Sequence, residues 1–278
     1  MAAIIGQRQD ANSTIPRGDN QVLGRLRSVI DSVYVKKLAS EIDPDQMPKH
    51  VGILIDGNRR WARAAGFDPS DGHRVGGARV ERFLRWCDDL GIERVTIYML
   101  SDDNLNRAPE ELDTLVKIIG EVVAGLAKEG NPWELNLIGD LDLIPMQAAT
   151  QLKEHAAQTA GRHEGARINV AIGYGGQREI ADAVRSAIAE LLARGSTLDE
   201  LVDAFDAQLI SQHTYTASQP NIDLIIRTSG EQRLSGFMLW ESAYAEMYFC
   251  ECNWPDFRKI DFLRALRSYT RRHRRFGR

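Results

Sequence analysis

Three stretches of the 278-residue chain carry side chains suited to phosphate and to a hard cation. The first is Asp56-Gly57-Asn58-Arg59-Arg60-Trp61. A carboxylate such as Asp56 suits Mg2+, which takes oxygen ligands and commonly bridges substrate phosphates. Gly57 and Asn58 tolerate left-handed backbone and let amides approach an anion. Arg60 offers a planar fork to a phosphate. Asp-Gly alone is an ordinary turn and helix-cap signal; the whole hexapeptide behind an apolar run is far more specific. The second stretch, Ser101-Asp102-Asp103-Asn104-Leu105-Asn106-Arg107, reads equally as a polar pocket wall or as a capping loop with Ser101 or Asn106 as N-cap. The third, Arg227-Thr228-Ser229-Gly230-Glu231-Gln232-Arg233-Leu234-Ser235, sets two arginines among Ser and Thr donors. It suits a diphosphate because each guanidinium gives paired donors; the competing reading is two surface arginines in weak ion pairs. Two single residues join these. His73 can donate to a phosphate, move a proton or be structural. Glu246 closes the apolar run 237–245, where a carboxylate needs a counter-charge or a metal.

Other chemistries lack their residues. Gly173-Tyr174-Gly175-Gly176 approaches a dinucleotide fingerprint, but Arg178 stands where the third glycine belongs. Cys250-Glu251-Cys252 is too sparse for zinc. With Cys87, these thiols read as inert core residues, and an odd number of cysteines makes no disulfide framework. The expected compartment is a reducing cytoplasm. Two arginine clusters, two carboxylates and no nucleophile–base pair suit displacement or ionisation of a diphosphate. Metal and donors would stabilise the departing charge, with no covalent enzyme intermediate.

Each stretch follows a short apolar run. Candidate strands cover 51–55, 94–100, 134–138, 167–172, 223–226 and 246–250. Helical patterns lie near 75–90, 109–128, 144–160, 177–194 and 198–212. Apolar strands separated by helices predict a parallel sheet covered on both faces, with ligands beyond the carboxyl ends of its strands. The expected fold is a single α/β domain: a mostly parallel six-stranded sheet flanked by helices, with an N-terminal extension. Residues 1–22 read as that flexible extension and 23–278 as the catalytic domain. Leu23, Leu26, Ile30, Val33 and Leu38 recur at near-helical spacing, a weak amphipathic pattern that leaves a peripheral membrane contact as an expectation. No run is long enough to span a membrane, and no secretory signal core opens the chain. Net charge is −4, which disfavours general nucleic-acid binding. From Arg258 to Arg278, nine Lys and Arg stand against Asp261 alone, read either as a solvated helix or as a surface for phosphate, an anionic membrane or an acidic partner.

In this order, the motifs resemble the cis-prenyltransferases, the undecaprenyl diphosphate synthase family. The resemblance runs from about His50 to Gly277. It takes in the three stretches above, the Gly173–Gly176 turn, Leu239-Trp240 through Ala243-Tyr244-Ala245-Glu246, Trp254-Pro255-Asp256-Phe257, and the closing Arg275-Phe276-Gly277. It implies joining of isopentenyl diphosphate to an allylic diphosphate, with a new cis double bond and release of diphosphate. By the family pattern, Asp56 would bind Mg2+ and the diphosphate to be expelled, with Glu246 as second metal ligand. Gly57, Asn58, Arg59, Arg60, Trp61, His73 and Arg107 would serve the allylic substrate. Asn104 would assist proton removal, and Arg227, Arg233 and Ser235 would hold isopentenyl diphosphate. A homodimer is implied, with Arg275 and Gly277 reaching the partner's site. Pro69 stands where many members carry an allylic-phosphate Arg, Leu105 replaces a common Trp and Asp103 a common Glu. The shortened carboxylate at Asp103 and the missing Trp at Leu105 resemble the actinobacterial short-chain members. They point to a short or medium product, with Phe83, Leu84 and Met99 as candidates to block a product tunnel. The alternatives are a long-chain undecaprenyl or decaprenyl synthase, or a non-catalytic scaffold subunit.

Overall fold

The computed structural model describes residues 34–272. The strands are β1 (His50–Leu54), β2 (Arg94–Ser101), β3 (Glu134–Ile138), β4 (Arg167–Tyr174), β5 (Leu224–Arg227) and β6 (Glu246–Phe249). They form one sheet in the order β3-β4-β2-β1-β5-β6, and every neighbouring pair is parallel. Helical residues 34–40 (α1) precede α2 (Asn58–Ala64), α3 (Pro69–Asp89), α4 (Pro109–Leu126) and α5 (Met146–Ala157). After these come α6 (Gly176–Ala193), α7 (Leu198–Ala204), α8 (Ala207–Ser211) and α9 (Lys259–Thr270).

The central strands bury both faces, so their residues alternate between two cores. Val51, Ile53, Ile168, Val170, Leu224 and Ile226 join the larger core with α3, α4, α5 and α9. Leu54, Ala171, Ile225 and Phe237 form the smaller one on the other side. Around the centre the chain goes two ways: β1 leads through α2 and α3 to β2, whereas β5 leads through residues 228–245 to β6. Phe237 and Met238 of that second connection lie in the smaller core, opposite α3. The connections after β1 and β5 therefore diverge to opposite faces. They leave a crevice between the two carboxyl ends, where open α/β sheets bind ligands.

Three elements differ from the sequence expectation. Helix α2 was not foreseen, because residues 58–64 carry too little apolar periodicity. Helix α3 starts at Pro69, since Asp68 accepts from the Ser70 amide (2.8 Å) and Pro69 needs no donor in the first turn. The position that many family members fill with Arg is thus a helix start. The stretch 198–212 splits into α7 and α8, because Asp206 takes extended backbone and caps the Leu209 amide (2.7 Å).

Over its described part, the basic C-terminal segment buries one apolar face in the core, while its charged side chains stay partly exposed in ion pairs within the chain. Phe262, Leu263, Ala265 and Leu266 of α9 are buried. Arg267 and Arg271 pair with Glu41, Lys259 with Asp89, and Arg258 and Arg264 with Asp261. Leu38 is also fully buried, so it is not lipid-facing; Leu23, Leu26, Ile30 and Val33 lie outside the described residues. The same holds for the expected extension 1–22. No helix among the described residues is long and apolar enough to cross a membrane.

A polar seam crosses the buried sheet. His50 Nδ1 donates to the Pro220 carbonyl (2.9 Å), which leaves Nε2 to accept from Thr96 Oγ1 (2.8 Å). Thr96 in turn accepts from Asn169 (3.0 Å). Burial pushes His50 down from 6.5 to about 4. Below pH 6.5 the unfolded chain gains a proton that the folded chain refuses. This contribution to stability is present above pH 6.5 and is lost as pH falls toward 4, by up to about 1.4 kcal/mol per unit. Thermal unfolding followed from neutral pH down to about pH 4.5 should show a falling midpoint; a flat profile would contradict the neutral His50.

Candidate active site

The crevice between β1 and β5 is closed by a clasp of main chain and hydroxyl. The Asp56 amide donates to Thr228 Oγ1 (2.9 Å), and the Thr228 hydroxyl donates back to the Asp56 carbonyl (2.7 Å). The Trp254 amide donates to the same carbonyl (2.9 Å). Gly57 then turns at φ +98°, and a Cβ there would lie 2.3 Å from Asn253 Oδ1. Only glycine fits this position, which aims the start of α2 at the crevice.

Asp56 is the hub. Its Oδ2 accepts from Arg227 Nη2 (2.9 Å) and lies 3.4 Å from Arg60 Nη2, and its Oδ1 accepts from the Gly57 amide (2.6 Å). Burial alone would push this carboxyl up, but the Arg227 pair and the hydrogen bonds outweigh it and hold the group below the usual carboxylate range. Arg227 is only 4% exposed. Its other arm donates to Ser235 Oγ (2.8 Å) and to the Arg233 carbonyl. Arg60 donates to Ser229 Oγ (2.7 Å) and to Glu231 (3.1 Å), and Arg233 also pairs with Glu231. Across the crevice, Arg59 and Arg107 share Glu111 Oε1, each at 2.9 Å. Ser229 and Ser235 hold left-handed backbone at φ 81° and 49°. Such conformations cost about 1–3 kcal/mol each and tend to persist at functional sites.

These residues surround one cavity of about 500 Å3. One part is rich in arginine: Arg59, Arg60, Arg63, Arg107, Arg227 and Arg233 line it, with the carboxylates of Asp56, Asp103 and Glu231 among them. The other is apolar, walled by Met99 and by Leu115, Ile118, Ile119 and Val122 of α4. Gly57, Asn58, His73, Asn104 and Ser235 complete the expected set along its wall. Buried polar atoms without a partner include Asn58 Oδ1, His73 Nε2 and Arg227 Nε, all from wall residues. Native structures rarely leave such atoms unsatisfied. Burial, reinforced by Arg107, pushes His73 down to about 4, so it is neutral at neutral pH. The 101–107 loop fulfils both readings: Ser101 caps the Asn104 amide (3.2 Å), and Asn104 and Arg107 also face the cavity.

Two expected residues lie elsewhere. Trp61 is not in the cavity wall; its indole donates to Asp256 (3.0 Å) and anchors α2 to the 254–256 turn. Glu246 opens β6 opposite Leu224, at the amino end of the strands, whereas Asp56 follows their carboxyl end. Within one chain the two carboxylates are not brought together, and Glu246 is neutralised by Arg272. Among the described residues, no group of three or more His, Cys, Asp and Glu is arranged around a metal position. Arg275 and Gly277 lie outside the described residues. Of the three tunnel candidates, Met99 lines the cavity; Phe83 and Leu84 are fully buried core residues, Phe83 packing on Trp254, Phe257 and Phe262.

Sequence reasoning missed Glu111, Glu231, Tyr98 and the α4 stripe. Glu111 follows Arg107 by four residues, a helical ion-pair spacing that could have been read. The 115/118/119/122 stripe is ordinary helix periodicity and looks like core. Tyr98 donates to the Ser235 carbonyl (3.3 Å) and stacks on Phe237 (4.8 Å), a link between distant segments with no local signature. The Gly175–Gly176 turn braces the site from behind. A Cβ on Gly175 would meet Asp102 at 2.0 Å, and the Gly176 amide donates to the Gly236 carbonyl (2.8 Å).

Comparison with known proteins agrees with this geometry. Residues 54–277 match the prenyltransferase family described as undecaprenyl diphosphate synthase. Isoprenyl transferase 2 of Streptomyces coelicolor is 55% identical over 255 residues, covering 91% of this chain and 99% of its own. The (2Z,6E)-farnesyl diphosphate synthase of Thermobifida fusca is 52% identical, covering 92% of this chain and all of its own. The short-chain Z-isoprenyl diphosphate synthase of Mycobacterium bovis is 49% identical, covering 91% and 98%. Among solved structures, lavandulyl diphosphate synthase from Lavandula x intermedia, in complex with dimethylallyl diphosphate, superposes with a TM-score of 0.77 at 33% identity, covering 84% of this chain and 100% of that one. A cationic crevice between β1 and β5, opening onto an apolar chamber and built from motifs shared along nearly the whole chain, places this protein in the undecaprenyl diphosphate synthase family of prenyltransferases.

Proposed function

We propose that the protein condenses isopentenyl diphosphate with a short allylic diphosphate to give a short-chain Z-prenyl diphosphate, in a Mg2+-dependent reaction. The observation that carries this reading is a cavity whose lining joins six arginines and three carboxylates to an aliphatic wall. Diphosphate groups match the arginines, and the hydrocarbon tail of the allylic substrate matches α4. The names of the actinobacterial relatives support a short product. The cavity, at about 500 Å3, lies within the range of small-ligand pockets, roughly 300–1,000 Å3.

Mg2+ suits the donor set. It dehydrates reluctantly, keeps several waters and is commonly held by one or two carboxylates plus substrate phosphates. Asp56 supplies one carboxylate at the cavity wall, and Glu246 of the same chain supplies none there. When bound, the ion would neutralise charge on the departing diphosphate. The chain's own groups do the rest. Arg59, Arg60 and Arg107 receive the allylic diphosphate, whose oxygens replace the carboxylates of Glu111 and Glu231 as their partners. Neutral His73 donates one ring N–H to it. Arg227, Arg233 and Ser235 hold isopentenyl diphosphate so that its terminal alkene carbon faces allylic C1. The allylic C–O bond breaks with its electron pair on the diphosphate, and the alkene forms the new C–C bond. A proton then leaves C2 of the isopentenyl unit. The Asn104 amide orients this end of the substrate; it is no base at neutral pH, so a diphosphate oxygen takes the proton.

The test is incubation of purified protein with Mg2+, labelled isopentenyl diphosphate and dimethylallyl, geranyl or farnesyl diphosphate in turn, with product length read by chromatography. Short products support this reading, and an undecaprenyl-length product overturns its chain-length part. A second groove of about 260 Å3 between α3 and α4 shares Gly77, Ile118 and Val122 with the cavity. Truncating this partition should therefore extend the chamber. The Ile118→Ala/Val122→Ala double variant is expected to shift products to longer chains; an unchanged distribution would remove α4 from length control.

A further inference from the structure

We infer that Cys250 and Cys252 form a redox-sensitive dithiol that can close to a disulfide and thereby release the Arg227–Gly230 loop from its anchor. The two sulfurs lie 3.2 Å apart, in the turn after β6. On this proposal the pair is not inert, unlike the sequence expectation for all three cysteines. Cys87 keeps that character, since it is fully buried in the core, which raises its thiol far above the usual range. The Cys250–Cys252 pair differs: Cys250 is 8% exposed, and Cys252 is more open. The two thiols share a hydrogen bond in which either sulfur can donate, and the contact with Cys252 holds Cys250 below the usual thiol range. That favours the thiolate, the form an oxidant attacks.

The main chain of this turn is the outer anchor of the site. The Cys252 carbonyl accepts from the Ser229 amide (2.7 Å), and the Cys250 carbonyl accepts from the Gly230 amide (2.9 Å). The Cys250 amide donates to the Arg227 carbonyl (2.8 Å). These three bonds fix Ser229 and Gly230 at φ 81° and 73°. Ser229 in turn holds Arg60 through its carbonyl (3.2 Å) and its hydroxyl (2.7 Å). A disulfide needs an S–S distance of about 2.05 Å, with the dihedral near a right angle. Across a single intervening residue, that requirement must bend the 250–252 backbone and turn its carbonyls away from residues 229 and 230.

The oxidant is hydrogen peroxide. The Cys250 thiolate attacks one peroxide oxygen, the O–O bond breaks, and the sulfur becomes a sulfenic acid while the other oxygen leaves as hydroxide and is protonated to water. The Cys252 thiol then attacks that sulfur and expels the sulfenic oxygen as a second water. Two thiols lose two protons and two electrons to the peroxide, and a thiol reductant reverses the step.

The proposal rests on the assigned role of Arg60 only for its effect on activity, so sulfur chemistry and activity are read separately. Purified enzyme is treated with hydrogen peroxide, and the 250–252 peptide is examined by mass spectrometry with and without a dithiol reductant. Independently, phenylarsine oxide probes for paired thiols. The expected result is reversible loss of two hydrogens in that peptide and stoichiometric capture of the arsenical. Turnover should fall about a hundredfold, the scale of an ångström-sized misplacement of a binding group, and recover on reduction. Cys252→Ser should keep basal turnover and lose both the arsenical capture and the peroxide response. Cys250→Ala should do the same and serves if the first variant folds poorly. Absence of the disulfide after peroxide, or a peroxide response that persists in either variant, would overturn the proposal. A disulfide that forms with turnover unchanged would overturn its coupling to the loop while leaving the assignment of the active site standing.

Discussion

Asp56→Ala is expected to lower turnover about a thousandfold, the upper end of what removal of one preorganised electrostatic contact costs an enzyme. The reason is its position at the hub. It is the carboxylate we propose for Mg2+, and it also aligns Arg227 (2.9 Å) and lies 3.4 Å from Arg60, the arginines proposed for the two diphosphates. Removing it takes an acceptor from an arginine that is 4% exposed. The folded state should therefore also lose about 1–3 kcal/mol, as when a buried charged donor loses its partner. Arg227 keeps Ser235 and the Arg233 carbonyl, so the chain still folds. The check is steady-state turnover beside thermal unfolding of the same preparation. A loss of only a few-fold in turnover would remove Asp56 from the centre of the mechanism.

Arg227→Lys is expected to raise KM for isopentenyl diphosphate by about ten- to a hundredfold, the loss of one charge-assisted bond of roughly 1.5–3 kcal/mol. The charge survives this change, but the fork does not. One arm of Arg227 reaches Asp56 while the other reaches Ser235, and an ammonium on a flexible stem cannot span both. KM for the allylic substrate should move less, because Arg59, Arg60 and Arg107 remain. Equal shifts in both constants would contradict the division of the cavity into two diphosphate sites.

Much of this was legible in the sequence, for identifiable reasons. Fully buried parallel strands are apolar throughout, so runs such as 51–55 and 167–172 announced themselves, and polar residues immediately behind them marked the carboxyl-end crevice. Asp56, Arg60 and Arg227 converge because β1 and β5 are adjacent, pairing Val51 with Leu224 and Leu54 with Arg227. That adjacency was not written in local pattern and needed the strand order. Glu246 shows the converse. A carboxylate beside an apolar run was read correctly as requiring a counter-charge or a metal, but the partner is Arg272, just beyond the end of α9. Strand register, which sequence does not display, puts it at the wrong end for Asp56. Phe83 and Leu84 were hard to separate from Met99, since core and cavity wall use the same residue types and differ only in what faces them. Helix α2 was missed because Arg59, Arg60 and Arg63 break its apolar pattern, and those arginines are there to face the cavity.

The most direct test of the central claim is incorporation of labelled isopentenyl diphosphate by the purified chain alone, with an allylic diphosphate, in Mg2+ and then with excess EDTA. The account predicts robust incorporation that EDTA abolishes and added Mg2+ restores. Incorporation indifferent to EDTA would contradict the metal role given to Asp56, and no incorporation with any allylic partner would contradict the proposed reaction itself.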